Sequence, residues 1–151
     1  MIRFEARDYD DPLVRELVDE VQQEYVVRYG GPDAAPVDPV EFVPPTGMFF
    51  VAFVSDEPVA TGAWRFVAEG VVEIKRMYVP VAHRRRGYAR VMLAHLESTA
   101  HAAGAGTIVL NTGQEQPEAI ALYESSGYLE VPGYGHYACA PLAVFYGKDL
   151  D

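Results

Sequence analysis

The stretch from Val71 to Gly104 most constrains the fold of this 151-residue chain. Val71 to Val79 is rich in β-branched and aromatic residues and reads as a strand. Pro80 ends it, because proline has no N–H to give to a ladder. After the basic loop Arg84-Arg85-Arg86-Gly87, the residues Ala89, Leu93, Leu96, Ala100 and Ala103 recur at intervals of four and three, one face of a helix that Gly104 stops. Simple alternation along the strand predicts Glu73, Lys75, Met77 and Val79 on one face, with Ile74, Arg76 and Tyr78 on the other.

A strand, a short basic loop and a helix N-terminus together suit a phosphate. The first helical N–H groups lack intrahelical partners, and the helix dipole favours an anion beside them. Gly87 lets an anion approach the backbone closely, and Arg84, Arg85, Arg86 and Arg90 bring charge to the same point. On these residues alone, a basic turn that merely opens a helix fits equally well. No Gly-Lys-Ser/Thr and no Gly-x-Gly-x-x-Gly is present, so neither a Walker loop nor the dinucleotide fingerprint is encoded.

The remaining elements follow from local patterns. Ile2 to Arg7 alternates as a half-buried strand. Asp11-Pro12 opens a helix whose stripe is Val14, Leu17, Val21, Tyr25 and Val26 or Tyr29, and Gly30-Gly31-Pro32 closes it. In the proline-rich segment from Asp33 to Gly47, Asp38-Pro39 suits the start of a short helical turn, and most of the rest reads as loop. Met48–Val54 and Val59–Val67 are strands joined by a turn, so strands two to four form an antiparallel meander. The helix after Gly87 then crosses to Thr107–Leu110, which must lie parallel to the central strand. A helix over Glu118–Ser126, a strand over Tyr128–Val131 and a last strand over Leu142–Tyr146 complete one expected domain, residues 1–151.

Arg84-Arg85-Arg86-Gly87-Tyr88-Ala89 resembles the Gln/Arg-x-x-Gly-x-Gly/Ala signature of the GNAT superfamily of N-acetyltransferases. Lys75-Arg76-Met77-Tyr78-Val79 is similar to the strand before that loop. Ala119-Ile120-Ala121-Leu122-Tyr123-Glu124-Ser125-Ser126-Gly127-Tyr128 resembles the family's helix ending in Leu-Tyr-x-x-x-Gly-Phe/Tyr. The resemblance covers residues 48–128 best. It implies an α/β fold: a twisted, mostly antiparallel sheet with a splayed parallel pair at its centre and helices on both faces.

The same resemblance implies acetyl-CoA as cosubstrate, without a metal, and direct acetyl transfer to a primary amine in a ternary complex. It places the pyrophosphate at Arg84–Arg90, including Tyr88 and Ala89, and the pantetheine arm along Met77, Tyr78 and Val79. The family's pantetheine-binding asparagine is replaced by Gln116, with Asn111 or Thr112 able to share its role. Tyr123 corresponds to the general acid that protonates the departing thiolate, against the alternative of a buried packing tyrosine. Glu73 corresponds to a base used by some members, against the alternative of a strand acid paired with Lys75 or Arg65. Tyr25, Tyr29, Asp33, Asp38 and Glu41 fall where the family often lines its acceptor pocket. A possible homodimer is also implied, as are two rival readings: a protein N-terminal or lysine acetyltransferase, and a non-catalytic acyl-CoA-binding module.

A net charge of −10 argues against a nucleic-acid partner, and suits either a small cationic acceptor or plain solubility. No apolar run is long enough for a membrane span, and the N-terminus lacks the apolar core of a signal peptide, so a cytoplasmic protein without a membrane partner is expected. The single cysteine, Cys139, has no disulfide partner. His95 and His101 stand six apart on one helix and share no face, so no metal site is expected.

Overall fold

The computed structural model describes residues 1–150. Strand β1 (Ile2–Ala6) precedes helix α1 (Pro12–Tyr29). The meander β2 (Gly47–Val54), β3 (Glu57–Ala68) and β4 (Val71–Tyr78) follows, then α2 (Tyr88–Ala102), β5 (Thr107–Gly113), α3 (Pro117–Ser125), β6 (Leu129–Glu130) and β7 (Ala143–Asp149). The seven strands form one sheet in the order β1-β2-β3-β4-β5-β7-β6, antiparallel throughout except for β4 beside β5.

Helix α1 begins as its sequence predicts. The Asp11 carboxylate accepts from the Leu13 N–H at 2.9 Å, Pro12 takes the first turn, and Gly30 closes the helix at φ 81°. Val14, Leu17 and Val18 pack on one sheet face with Phe42, Phe49, Val51 and Phe53. Helix α2 covers the other face with Met92, Leu93, Leu96 and Ala100, and Tyr123 of α3 joins the same core. The predicted stripe differs at two positions: Ala103 caps the helix in solvent, and Met92, outside the stripe, is buried. The last strands also differ. The 128–131 strand shrinks to two residues, and β7 starts one residue later than predicted and runs on to Asp149, because β5 offers it seven consecutive partners.

The central feature is a break in the phase of β4. Thr61 pairs with Tyr78 and Ala63 with Lys75, so three steps on β4 oppose two on β3. Arg76 absorbs the extra residue at φ 58°, and the Thr61 hydroxyl donates to its carbonyl at 2.7 Å. Val72 and Ile74 face α2; after the bulge, Met77 and Val79 do so as well. Lys75, Arg76 and Tyr78 all face the α1 side, where Arg76 meets Tyr9 and Tyr78 meets Glu20. Simple alternation is therefore wrong beyond Lys75, because it assumes an unbulged strand.

Candidate active-site cleft

Strands β4 and β5 pair over only three positions, Val71–Thr107, Val72–Ile108 and Glu73–Val109. Beyond them the strands separate, and the backbone groups facing the gap lose each other as partners. A cleft of about 910 Å³ opens there, walled by β4, β5, α1, α3 and the loop into α2.

At one end of the cleft lies the basic loop. Gly87 caps α2 at φ 82°, and a β-carbon there would meet nothing within 4 Å, so backbone conformation alone calls for glycine. No side chain caps α2, which leaves its first N–H groups open to an anion. Arg85 and Arg90 line the cleft, while Arg86 is exposed and lies outside its wall. Arg90 donates to the hydroxyls of Ser125 and Ser126 and so spans from α2 to the end of α3. Arg84 is already engaged: its Nε donates to the Val79 carbonyl at 2.9 Å, and its guanidinium pairs with Glu24 of α1. It braces the loop and has little left for a ligand.

Tyr123 lines the middle of the cleft, only 5% exposed. Its ring meets Tyr128 at 5.7 Å and Tyr146 at 6.4 Å, which fixes its direction, and its hydroxyl bonds to none of the described residues. Burial pushes this phenol well above its ordinary pKa, so it stays protonated. Tyr25 stands close to it, pushed up to about 12 by burial, with the Arg76 charge opposing. The Gln116 amide donates to the Tyr29 hydroxyl at 3.3 Å, and Asn111 lines the wall from β5. Met77, Tyr78, Val79, Tyr88 and Ala89 also border this space.

The far end is built around Asp33. Its Oδ2 accepts from Arg76 at 2.7 Å and from Lys75 at 3.4 Å; its Oδ1 accepts from the Tyr137 hydroxyl at 2.7 Å and the Ala35 N–H at 3.0 Å. Burial alone would raise this carboxyl, but Lys75, Tyr137, Ala35 and Arg76 outweigh it and bring the pKa down to about 2. Tyr137 ties the 133–140 loop to the segment after α1, since it also accepts from the Ala34 N–H at 2.8 Å.

Glu73 points elsewhere. It is buried and its Oε1 accepts two bonds from Arg65, at 3.0 and 3.2 Å. It lines a second cavity of about 810 Å³, which shares Lys75, Asn111 and Tyr137 with the cleft. Glu41 also faces this cavity and pairs with Arg65 at 2.8 Å, whereas Asp38 caps the short turn at 39–42 and lines neither space. Lys75, Arg76 and Tyr137 are not among the residues singled out from sequence. Two adjacent cations inside an apolar strand were the available signal for the first two; Tyr137 had none. Cys139 is exposed, and among the described residues no group of three or more His, Cys, Asp or Glu could hold a metal ion. No helix among them is long and apolar enough to cross a membrane.

The profile of the Acetyltransferase (GNAT) family matches residues 14–128. An IAA acetyltransferase of Azospirillum brasilense is 37% identical over 103 residues, 68% of this chain and 67% of its own length. A solved structure described as an acyl-CoA N-acyltransferase from Klebsiella pneumoniae superposes with a TM-score of 0.82 at 28% identity, over 100% of this chain and 99% of that one. A GNAT family acetyltransferase from Elizabethkingia anophelis with acetyl-CoA bound shares the fold, with a TM-score of 0.71 at 14% identity over 99% and 98% of the two chains.

Proposed function

This chain belongs to the GNAT acetyltransferase family, and from that premise we propose that it moves an acetyl group from acetyl-CoA to the primary amine of a small acceptor, by direct attack within a ternary complex. The observation that carries this reading is Tyr123: buried in the wall of the cleft, packed against two neighbouring rings, with a hydroxyl that bonds to none of the described residues.

The residues present fit the cosubstrate. The open N-terminus of α2, Gly87, Arg85 and Arg90 would hold the pyrophosphate, with Arg86 adding charge from outside. The unpaired edge of β4 at Met77, Tyr78 and Val79 would hold the pantetheine arm, helped by Asn111 and Gln116. Acetyl-CoA supplies an activated thioester whose carbon the amine attacks as the carbon–sulfur bond breaks. Tyr123 gives its proton to the leaving sulfur and regains, through water, the one that the attacking nitrogen sheds as the amide forms. An alkyl ammonium has a pKa of about 10, so its proton must leave before attack. The Glu73 carboxylate, which borders the second cavity beside Lys75 and Asn111, receives it through water. Tyr25, Tyr29 and Asp33 shape the acceptor end.

The test is thiol release from acetyl-CoA over a panel of amines, with Tyr123→Phe as comparison. Acceptor-dependent release that falls at least tenfold in the variant supports the reading. Coenzyme binding without turnover on any amine sinks it.

A further inference from the structure

We propose that the acceptor carries a carboxylate and that Lys75 binds it; this rests on the acetyl-transfer reading of the same cleft. The overall charge of −10 does not reach this space. Three acids line the cleft and each is already paired: Glu24 with Arg84, Glu118 with Arg28, and Asp33 with both Arg76 and Lys75. None is free to receive a second cation from an acceptor.

The cations are not balanced in the same way. The bulge puts Lys75 and Arg76 side by side against a single carboxylate. Arg76 holds it at 2.7 Å, and Lys75 reaches it only at 3.4 Å. An ammonium has three N–H donors, and no other bond joins this one to the described residues. The Lys75 side chain is only 6% exposed, so the remaining donors face cavity space more than bulk water. Lys75 also stands where the cleft and the second cavity meet, at the acceptor end and away from the basic loop. Glu73 and Glu41 share that second cavity, where each pairs with Arg65 through Oε1, which offsets their charge and leaves the Glu73 Oε2 for the acceptor's proton. Across the cavity, the Tyr134 hydroxyl is buried; it stands near Glu73 and Asn111 without meeting either in hydrogen-bonding geometry. An under-used buried ammonium and an unpartnered phenol bordering one cavity form a receptor for a carboxylate oxygen pair. The acceptor class is therefore an amine that also bears a carboxylate, such as a free amino acid.

The experiment compares amino acids with their carboxamides and with polyamines as acceptors, in the native protein and in Lys75→Met. Arg76 keeps Asp33 paired in that variant. The expected result is a kcat/KM at least tenfold higher for acids than for amides. Lys75→Met should raise the KM for acids tenfold, leaving kcat and the KM for amides and acetyl-CoA unchanged, and Lys75→Arg should restore part of the loss. Equal use of acids and amides, a preference for polyamines, or an equal loss on acids and amides in Lys75→Met overturns the proposal. If no acceptor is turned over, the enzymatic reading fails and calorimetry decides the site: N-acetylphenylalanine binding where its amide does not, with binding lost in Lys75→Met, supports it, and no discrimination overturns it.

Discussion

The Tyr29 hydroxyl sits directly over Gly113: a β-carbon at that glycine would come within 1.8 Å of the oxygen and 2.4 Å of the ring carbon that bears it. The end of α1 can therefore lie against the end of β5 only because residue 113 has no side chain. Gly113→Ala should push the Tyr29 ring aside and break its bond with Gln116. Overpacking of this kind costs about 1–3 kcal/mol. The expected result is a lower urea midpoint with a several-fold rise in the KM for acetyl-CoA.

Tyr123→Phe keeps the ring packed against Tyr128 and Tyr146 and removes a hydroxyl that no described residue needs. Stability should hardly change, while kcat drops by about 10²-fold, the low end of what a positioned acid contributes. Because burial raises the phenol's pKa above its ordinary value, the native enzyme should show no loss of this acid up to pH 10. Thiol-release rates from pH 6 to 10 check both points.

Asp33 links the cleft to acid stability. Its pKa falls from 3.8 to about 2 on folding, so its contribution is fully present above the unfolded value and disappears as pH falls through about 2. A shift of this size corresponds to roughly 2 kcal/mol. Asp33→Asn should lose at least that much at pH 7, where Lys75 and Arg76 are left without their counter-charge. Its stability should also be flatter than the native protein's between pH 4 and 2. Urea unfolding at several pH values measures the difference.

Glu73→Gln removes one of the two carboxylates on Arg65 but preserves Glu41 and the Pro36 carbonyl as its partners. The stability loss should be about 1.5–3 kcal/mol, the range for a hydrogen bond to a charged group. With Glu73 as the proton's destination, kcat/KM should fall tenfold or more. A stability loss with an unchanged kcat/KM would leave Glu73 as a partner of Arg65 alone.

Local signals carried most of the fold. Asp11-Pro12, the apolar stripe of α2 and the Gly87 turn each act within a few residues, so the helices, the meander and the basic loop could be read directly. The end of the chain was less legible. Residues 131–142 hold few periodic cues, and the length of β7 depends on β5, some thirty-five residues away in sequence. Tyr123 and Gln116 were found through a motif. The pairing of Arg84 with Glu24 and the binding of Tyr137 to Asp33 join residues sixty or more apart, which no local pattern can reveal. The phase of β4 was misread for a different reason. A bulge leaves no mark in apolar alternation, and its one clue was Lys75-Arg76, two charges where only one could face away from the core.

The left-handed turn at Arg76 makes β4 two half-strands with separate duties. Residues before it pair with both β3 and β5 or reach toward that pairing; residues after it pair with β3 alone and border the cleft. Substitution of Val72, which lines neither cavity, should therefore act through folding alone, and those beyond Arg76 through ligand handling. Loss of Arg76 alone would return Lys75, Met77, Tyr78 and Val79 to simple alternation, with Met77 still beneath α2 and Tyr78 still on the α1 side, but Asp33 would lose its 2.7 Å partner. The extra residue therefore serves to set a second cation beside Lys75 on one face of the strand.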